Sequence, residues 1–167
     1  RKVLLYCPHC QTPIAKAEIA MDNSYKDVTE ESVYVKFAIK GIPKAYFLAW
    51  TTTPWTLPGN VGLAVGKDIE YVEAKVGEEI FVLAKERLPI LSEAYEIVAE
   101  HKGSEMVGME YEPLYEIPKV KETGKKAFYI AEADFVTTTE GTGIVHTAVI
   151  YGEDDYALGQ KLDLPQV

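Results

Sequence analysis

Three consecutive threonines, Thr51-Thr52-Thr53, run into Pro54, Trp55 and Thr56, and His146 and Asp155 stand far downstream. Hydroxyls both donate and accept hydrogen bonds, a carboxylate pairs with cations, and an imidazole titrates near neutrality at about 6.5. The chain has no GxSxG elbow, no Ser-His-Asp order and no HExxH pair. Neither of its two cysteines, Cys7 and Cys10, has an activating base nearby in sequence. Covalent and metal-dependent hydrolysis are therefore poorly supported. What remains is a polar pocket that holds a substrate and positions water.

Each of these residues also has an ordinary reading. Threonine is a good strand former, and Thr137-Thr138-Thr139 is read as strand only. A lone histidine is commonly a satisfied core residue. Asp154 and Asp155 precede a helical stretch over 156–162, where the helix dipole alone favours acidic residues. Residue types and spacing leave these alternatives open.

The elements that must carry the site are short strands. Tyr46 to Trp50 reads as a strand delivering the threonines, and Pro54 and Pro58-Gly59-Asn60 break it before Val61 to Val65 resumes. Clean alternation predicts strands at 15–21, 32–39 and 71–76, and Gly77-Glu78-Glu79 makes a hairpin into 80–84. Further strands are expected at 95–100, 112–117, 127–131, 134–138 and 144–148, with a turn at Asp22-Asn23. A helix of about two turns fits 85–93, limited by Pro89. The stretch 102–111 reads as irregular. Strands outnumber helices too heavily for a doubly wound sheet. The expectation is a mainly β fold, a small closed or nearly closed barrel with short peripheral helices.

With 167 residues the chain is read as one domain that buries about 70% of its unfolded surface. A net charge of −9 argues against a free-standing nucleic-acid binder. Lys119, Lys121, Lys125 and Lys126 around Gly124 read as a solvated hairpin tip in preference to a phosphate contact. No apolar run is long enough for a membrane, and the opening run before Cys7 is too short for a signal peptide, so the cytoplasm is expected. Cys7-Pro8-His9-Cys10 supplies half of a four-ligand zinc site.

The run WTTTPWTLPGNVGLAV, from Trp50 to Val65, resembles the signature of the editing domain inserted into isoleucyl-tRNA synthetases. Valyl and leucyl relatives differ there, with an Arg after the second Thr. Gly141 to Ala148 (GTGIVHTA) followed by Gly152-Glu153-Asp154-Asp155-Tyr156 resembles the second half of the same site. The two motifs stand in the expected order, and the resemblance covers nearly the whole chain.

The resemblance implies residues 1–12 as half a zinc knuckle and linker, and 13–167 as the editing domain. The partner cysteines would lie beyond the insert, so Cys7 and Cys10 are an empty half-site here, with a structural zinc a candidate only in the full-length parent. Editing itself would need no cofactor. The HIGH and KMSKS motifs are absent, so the chain cannot aminoacylate, and ATP belongs to the parent. The substrate would be valyl-tRNA(Ile) at its 3′ end, with valyl-adenylate a second candidate. Partners would be the tRNA and the rest of the synthetase, with no membrane. Thr51, Thr52, Thr53 and Asp155 would be catalytic, Asp155 pairing the α-ammonium. Trp55, Thr56, Leu57, Asn60 and His146 would bind substrate, with Trp55 and Leu57 as a wall and His146 barring isoleucine. A synthesis site cannot reject a side chain one methylene smaller by more than about 1–3 kcal/mol, a limit for which isoleucyl enzymes are themselves the usual illustration. A second, smaller hydrolytic site solves this. Relatives carry Pro after HTA where this chain has Val149-Ile150, which predicts a less stiff loop before Asp155. The alternative is a non-catalytic module that docks the tRNA 3′ end or spaces the parent.

Overall fold

The computed structural model describes residues 4–21 and 23–167, so the turn expected at Asp22-Asn23 falls partly outside the described residues. The chain divides into two compact units between residues 31 and 32.

In the first unit, β1 (Leu5–Cys7) pairs antiparallel with β2 (Thr12–Ile14), and the Gln11 N–H closes the turn on the Cys7 carbonyl at 2.8 Å. The strand expected over 15–21 is instead a single helical turn, α1 (Lys16–Ile19). Alternation was outweighed by a local contact: the Glu18 carboxylate reaches back to the Ala15 N–H at 2.6 Å, which satisfies a donor that a helix start leaves open.

The second unit opens with β3 (Val33–Ala38) and β4 (Ala45–Thr51) as an antiparallel pair. A 3₁₀ segment, Pro54–Gly59, leads to β5 (Gly62–Val65). The expected hairpin joins β6 (Glu70–Val76) to β7 (Glu79–Ala84), with Gly77 at φ 58 in the turn. The helix expected after it is a 3₁₀ segment, Lys85–Ile90, before β8 (Glu96–Lys102). The stretch read as irregular holds α2 (Gly103–Met106). No hairpin carries the lysine tip: α3 (Pro118–Glu122) occupies it, because Pro118 suits a first helical position. Then come β9 (Ile130–Glu132), β10 (Ile144–Thr147) and α4 (Glu153–Lys161). The strands expected at 112–117 and 134–138 do not form. Among the described residues no helix is long and apolar enough to cross a membrane.

The fold is mainly β with short helices. One sheet runs β3-β4-β7-β6-β8 and the other β10-β5-β9, with β4–β7 and β5–β9 parallel. A closed barrel is not what the ladders make. β4 pairs with β7 only from Ala45 to Phe47, and its far end then diverges. Isolated contacts bridge the two sheets instead. The Ala84 N–H meets the Thr142 carbonyl at 2.8 Å on one side, and the Ile39–Tyr111 and Glu110–Tyr129 bridges stitch the other. The main core fills the interior with Phe37, Phe47, Ala49, Leu63, Val65, Ile130 and Ile144, as strand alternation requires. A second cluster, Val72, Ala74, Phe81 and Leu83, lies beneath Leu88 of the second 3₁₀ segment.

Tyr71 ties the two sheets together. Its buried hydroxyl accepts from the Gly66 N–H at 3.0 Å and donates to the Gly143 carbonyl at 2.7 Å, and burial pushes its pKa up to about 12. Tyr71→Phe leaves both backbone groups unpaired, so it is expected to cost about 1–3 kcal/mol, read as a lowered midpoint in urea at unchanged slope.

Candidate active site

Alternation along β4 puts Thr51 on the inner side with Phe47 and Ala49, and along β10 it puts His146 on the same side as Ile144. The divergence of β4 from β7 leaves the end of β4 facing β10. Pro54 then opens the 3₁₀ segment, and the Thr56 N–H closes its first turn on the Thr53 carbonyl at 3.0 Å. This turn folds three hydroxyls into one chain. Thr51 Oγ1 accepts from the Thr53 N–H at 3.0 Å and lies 3.3 Å from Thr53 Oγ1. Thr53 Oγ1 lies 3.3 Å from Thr56 Oγ1, which donates to the Thr53 carbonyl at 2.7 Å. Thr56 Oγ1 is also 3.0 Å from His146 Nε2. The two 3.3 Å contacts are long for hydroxyl pairs, so the half-buried Thr53 hydroxyl is the one free to turn to a ligand.

His146 is 8% exposed, and burial lowers its pKa to about 4, so the ring is neutral at pH 7. Asp155 sits in the first turn of α4, where its Oδ2 accepts from the Ala148 N–H at 3.2 Å. Burial raises its pKa to about 6 against that hydrogen bond, and the charge of Asp154 adds to the rise. Carboxylate and imidazole are thus held by one short segment, 146–148. Among the described residues Asp155 makes no hydrogen bond to the threonine hydroxyls. The loop between them is pinned although it lacks the proline: Val149 is buried against Gly159, and the Tyr151 N–H bonds the Ala148 carbonyl at 3.0 Å.

The remaining predicted site residues scatter. Thr52 is exposed, and Trp55 is 66% exposed. Leu57 is buried in the main core. Asn60 is buried, donating to the Gly62 carbonyl at 2.9 Å and accepting from the Tyr111 hydroxyl at 2.6 Å. Both hold the fold together beneath the hydroxyl chain.

Cys7 and Cys10 are free, with the Cys10 N–H on Cys7 Sγ at 3.3 Å. Backbone and thiol hydrogen bonds from Cys10 lower the Cys7 pKa, whereas the thiol hydrogen bond and the charge of Cys7 raise that of Cys10. Two thiols are two of the four ligands zinc takes, and no cluster of three candidate ligands exists among the described residues.

A cavity of about 200 Å³ is lined by Trp50, Phe135, Thr137, Thr139 and residues 140–145. Gly141 and Gly143 shape it. Both have positive φ, and a Cβ would strike the Trp50 ring at 2.9 Å from Gly141 and Ala84 at 2.5 Å from Gly143. Arg87 braces the same loop, donating from Nε to the Gly141 carbonyl at 2.8 Å. A larger cavity, about 310 Å³, lies on the outer face of the five-stranded sheet, where Lys36 and Glu79 already pair at 2.6 Å. It holds none of the chain's hydroxyl–imidazole chemistry.

No family model matches the chain. It is 51% identical over 166 residues to the isoleucine–tRNA ligase of Clostridium acetobutylicum, covering 99% of this chain and 16% of that protein. The Clostridium novyi isoleucine–tRNA ligase is 50% identical, again over 99% of this chain and 16% of the relative. The chain therefore spans about a sixth of the length of the curated relatives it matches. Among solved structures it superposes on the leucyl domain GlLeuRS-CP1 with a TM-score of 0.64 at 17% identity, over 78% of this chain and 58% of that one. The cytosolic leucyl-tRNA synthetase editing domain of P. knowlesi gives 0.56 at 18% identity, over 70% and 50%.

The chain corresponds to a segment of isoleucine–tRNA ligases and has the fold of leucyl-tRNA synthetase editing domains. The leucyl likeness shows the shared fold, and the clostridial identity gives the branch. The cavity wall contains three residues that the sequence reading did not single out for the site, Trp50, Thr137 and Thr139. The last two had been read as strand, yet they form a loop whose hydroxyls meet at 3.1 Å on the cavity wall. A signal was available: Trp50 alternates with Thr51, so it must face the opposite side of β4, toward whatever precedes the GTG turn.

Proposed function

We propose that this domain hydrolyses valyl-tRNA(Ile) within a larger cytoplasmic isoleucyl-tRNA synthetase, using a positioned water and no covalent intermediate, with valyl-adenylate as a second substrate. The single observation that carries the reading is the continuous contact from Thr51 through Thr53 and Thr56 to His146, with Asp155 anchored two residues past the imidazole. An aminoacyl ester is already activated. Its carbonyl needs a donor, its ammonium an anion, and its side chain a boundary.

Thr53, with its loosely held hydroxyl, donates to the ester carbonyl as negative charge develops there. Asp155 pairs with the α-ammonium, and a buried anion without that partner would disfavour N-blocked or uncharged ligands. The neutral His146 ring limits side-chain length. The cavity beside Trp50 accepts the terminal nucleoside, with an aromatic face for the base and hydroxyls from Thr137 and Thr139 for the sugar. Trp55, being exposed, is left to the rim. Water oxygen bonds to the carbonyl carbon as the bond to the ribose oxygen breaks. One water proton ends on that ribose oxygen, and the other is released as the product carboxyl ionises.

The test uses the full-length parent synthetase charged separately with valyl- and isoleucyl-tRNA(Ile). The expected result is fast loss of valine and slow loss of isoleucine. Equal loss of both esters removes the size discrimination. No loss of either leaves the domain as a module that docks the tRNA end.

A further inference from the structure

The hydrogen bonds around Thr56 can be counted proton by proton. A carbonyl oxygen only accepts, so the 2.7 Å contact from Thr56 Oγ1 to the Thr53 carbonyl takes the single hydroxyl proton of Thr56. The same oxygen is 3.0 Å from His146 Nε2, and with its proton spent it can only accept there. Nε2 therefore carries a hydrogen. A neutral imidazole has one, and burial keeps this ring neutral, so Nδ1 is bare. Nδ1 is also buried without a partner, and no competing acceptor draws the proton to that side.

We propose that Thr56 is the positioning residue of the site: its hydroxyl fixes His146 as the Nε2–H tautomer and locks the orientation of the ring. The inference rests on the editing function proposed above, but it concerns which atom holds the ring. It divides the threonines by task. Thr53 is free to donate to substrate, whereas Thr56 has no proton left to donate and orients His146. It also removes His146 from proton transfer. Nε2 is already protonated and engaged, and Nδ1 is closed off from water, so the ring serves as a fixed wall.

The experiment begins with ¹⁵N-histidine labelling of the chain, which has only three histidines, His9, His101 and His146. The two ring nitrogens of a neutral histidine have widely separated shifts. The expected His146 pattern between pH 5 and 8 is a protonated Nε2 and a bare Nδ1. An Nδ1–H pattern, or an imidazolium at neutral pH, overturns the proposal without any variant having to fold. In Thr56→Val, similar in shape but without the hydroxyl, both tautomers should appear, and Thr56→Ser should restore the single one. A single Nε2–H form persisting in Thr56→Val overturns it. In the parent synthetase, Thr56→Val should raise isoleucyl-ester loss relative to valyl-ester loss by about tenfold, the worth of one hydrogen bond, with Thr56→Ser near wild type. Unchanged selectivity alongside mixed tautomers overturns the positioning role. Failure of the wild-type parent to hydrolyse valyl ester would refute the editing reading and leave the tautomer result standing, so the two failures are distinguishable.

Discussion

Asp155→Asn in the parent synthetase is expected to cut kcat/KM for valyl-tRNA(Ile) deacylation by roughly 10²-fold or more while leaving the fold intact. The size follows from what is removed. Truncating one member of a buried, hydrogen-bonded charge pair costs about 2–5 kcal/mol, because the other charge is left unpaired, and about 1.4 kcal/mol is a factor of ten. Asparagine keeps the shape and an oxygen to accept from the Ala148 N–H, so the loop need not move. The pH profile gives a second reading of the same group. Burial lifts the Asp155 pKa to about 6, so the free enzyme loses its anion as pH falls through that value. Deacylation kcat/KM should therefore drop tenfold per unit below about pH 6, where a carboxylate of ordinary pKa would hold it level to about 4. A profile flat from pH 7 to 5, or full activity in Asp155→Asn, rejects the ammonium-anchor role. His146 adds no limb in this range, since its pKa is depressed to about 4.

The same two groups act oppositely on stability. The folded His146 pKa lies below its unfolded value, so the unfolded chain binds more protons between about 4 and 6.5, and stability falls as pH drops through that window. The folded Asp155 pKa lies above its unfolded value, so the folded chain binds more protons between about 4 and 6, and stability rises as pH drops. The two slopes offset each other. These two groups therefore add little net pH dependence to stability, and a urea midpoint measured at pH 5.5 and 7 separates an acid limb in activity from unfolding.

The sequence was most legible where a period and a turn residue agreed. Alternation with Gly77 placed β6 and β7, and the apolar run ending before Pro54 placed a strand that delivers the threonines. It failed where a single local contact decided the outcome: Glu18 turned an alternating stretch into a helix, and Pro118 opened one where a hairpin tip was read. Thr53 and His146, singled out by residue type, lie in one run of contacts, and Asp155 is anchored on the same strand end. The burial of Leu57 and Asn60 in the framework was not legible, because a motif records which residues recur together and not which way each points. The contact that puts Asn60 on the Tyr111 hydroxyl spans distant parts of the chain, and no local pattern encodes it. The cavity beside Trp50 was hidden for a related reason. Its wall is a loop whose threonines imitate strand composition, held in place by Arg87 from another element.

His146→Ala should have the largest effect on selectivity: isoleucyl-tRNA(Ile), which the proposed function has the wild-type parent spare, becomes a substrate. The ring is buried on β10 and held by Thr56, so it presents a boundary that does not yield. Replacing it with a methyl group opens more volume than the one methylene that separates isoleucine from valine. Within a pocket that methylene is worth about 1–3 kcal/mol of discrimination, and once it fits, that difference disappears. The rate on isoleucyl ester is thus expected to rise by about 10- to 100-fold while the rate on valyl ester changes little, because Asp155 and Thr53 still engage what both esters share. The parent's net yield of isoleucyl-tRNA should fall accordingly, since correct product is now destroyed. His146→Gln separates size from charge chemistry. It refills much of the space and can offer a side-chain N–H to Thr56, so it should keep most of the selectivity. Loss of valyl hydrolysis in His146→Gln with isoleucyl ester still spared would instead make the imidazole a participant in the chemical step. That outcome would also require it to exchange a proton it holds, in this fold, against the Thr56 hydroxyl.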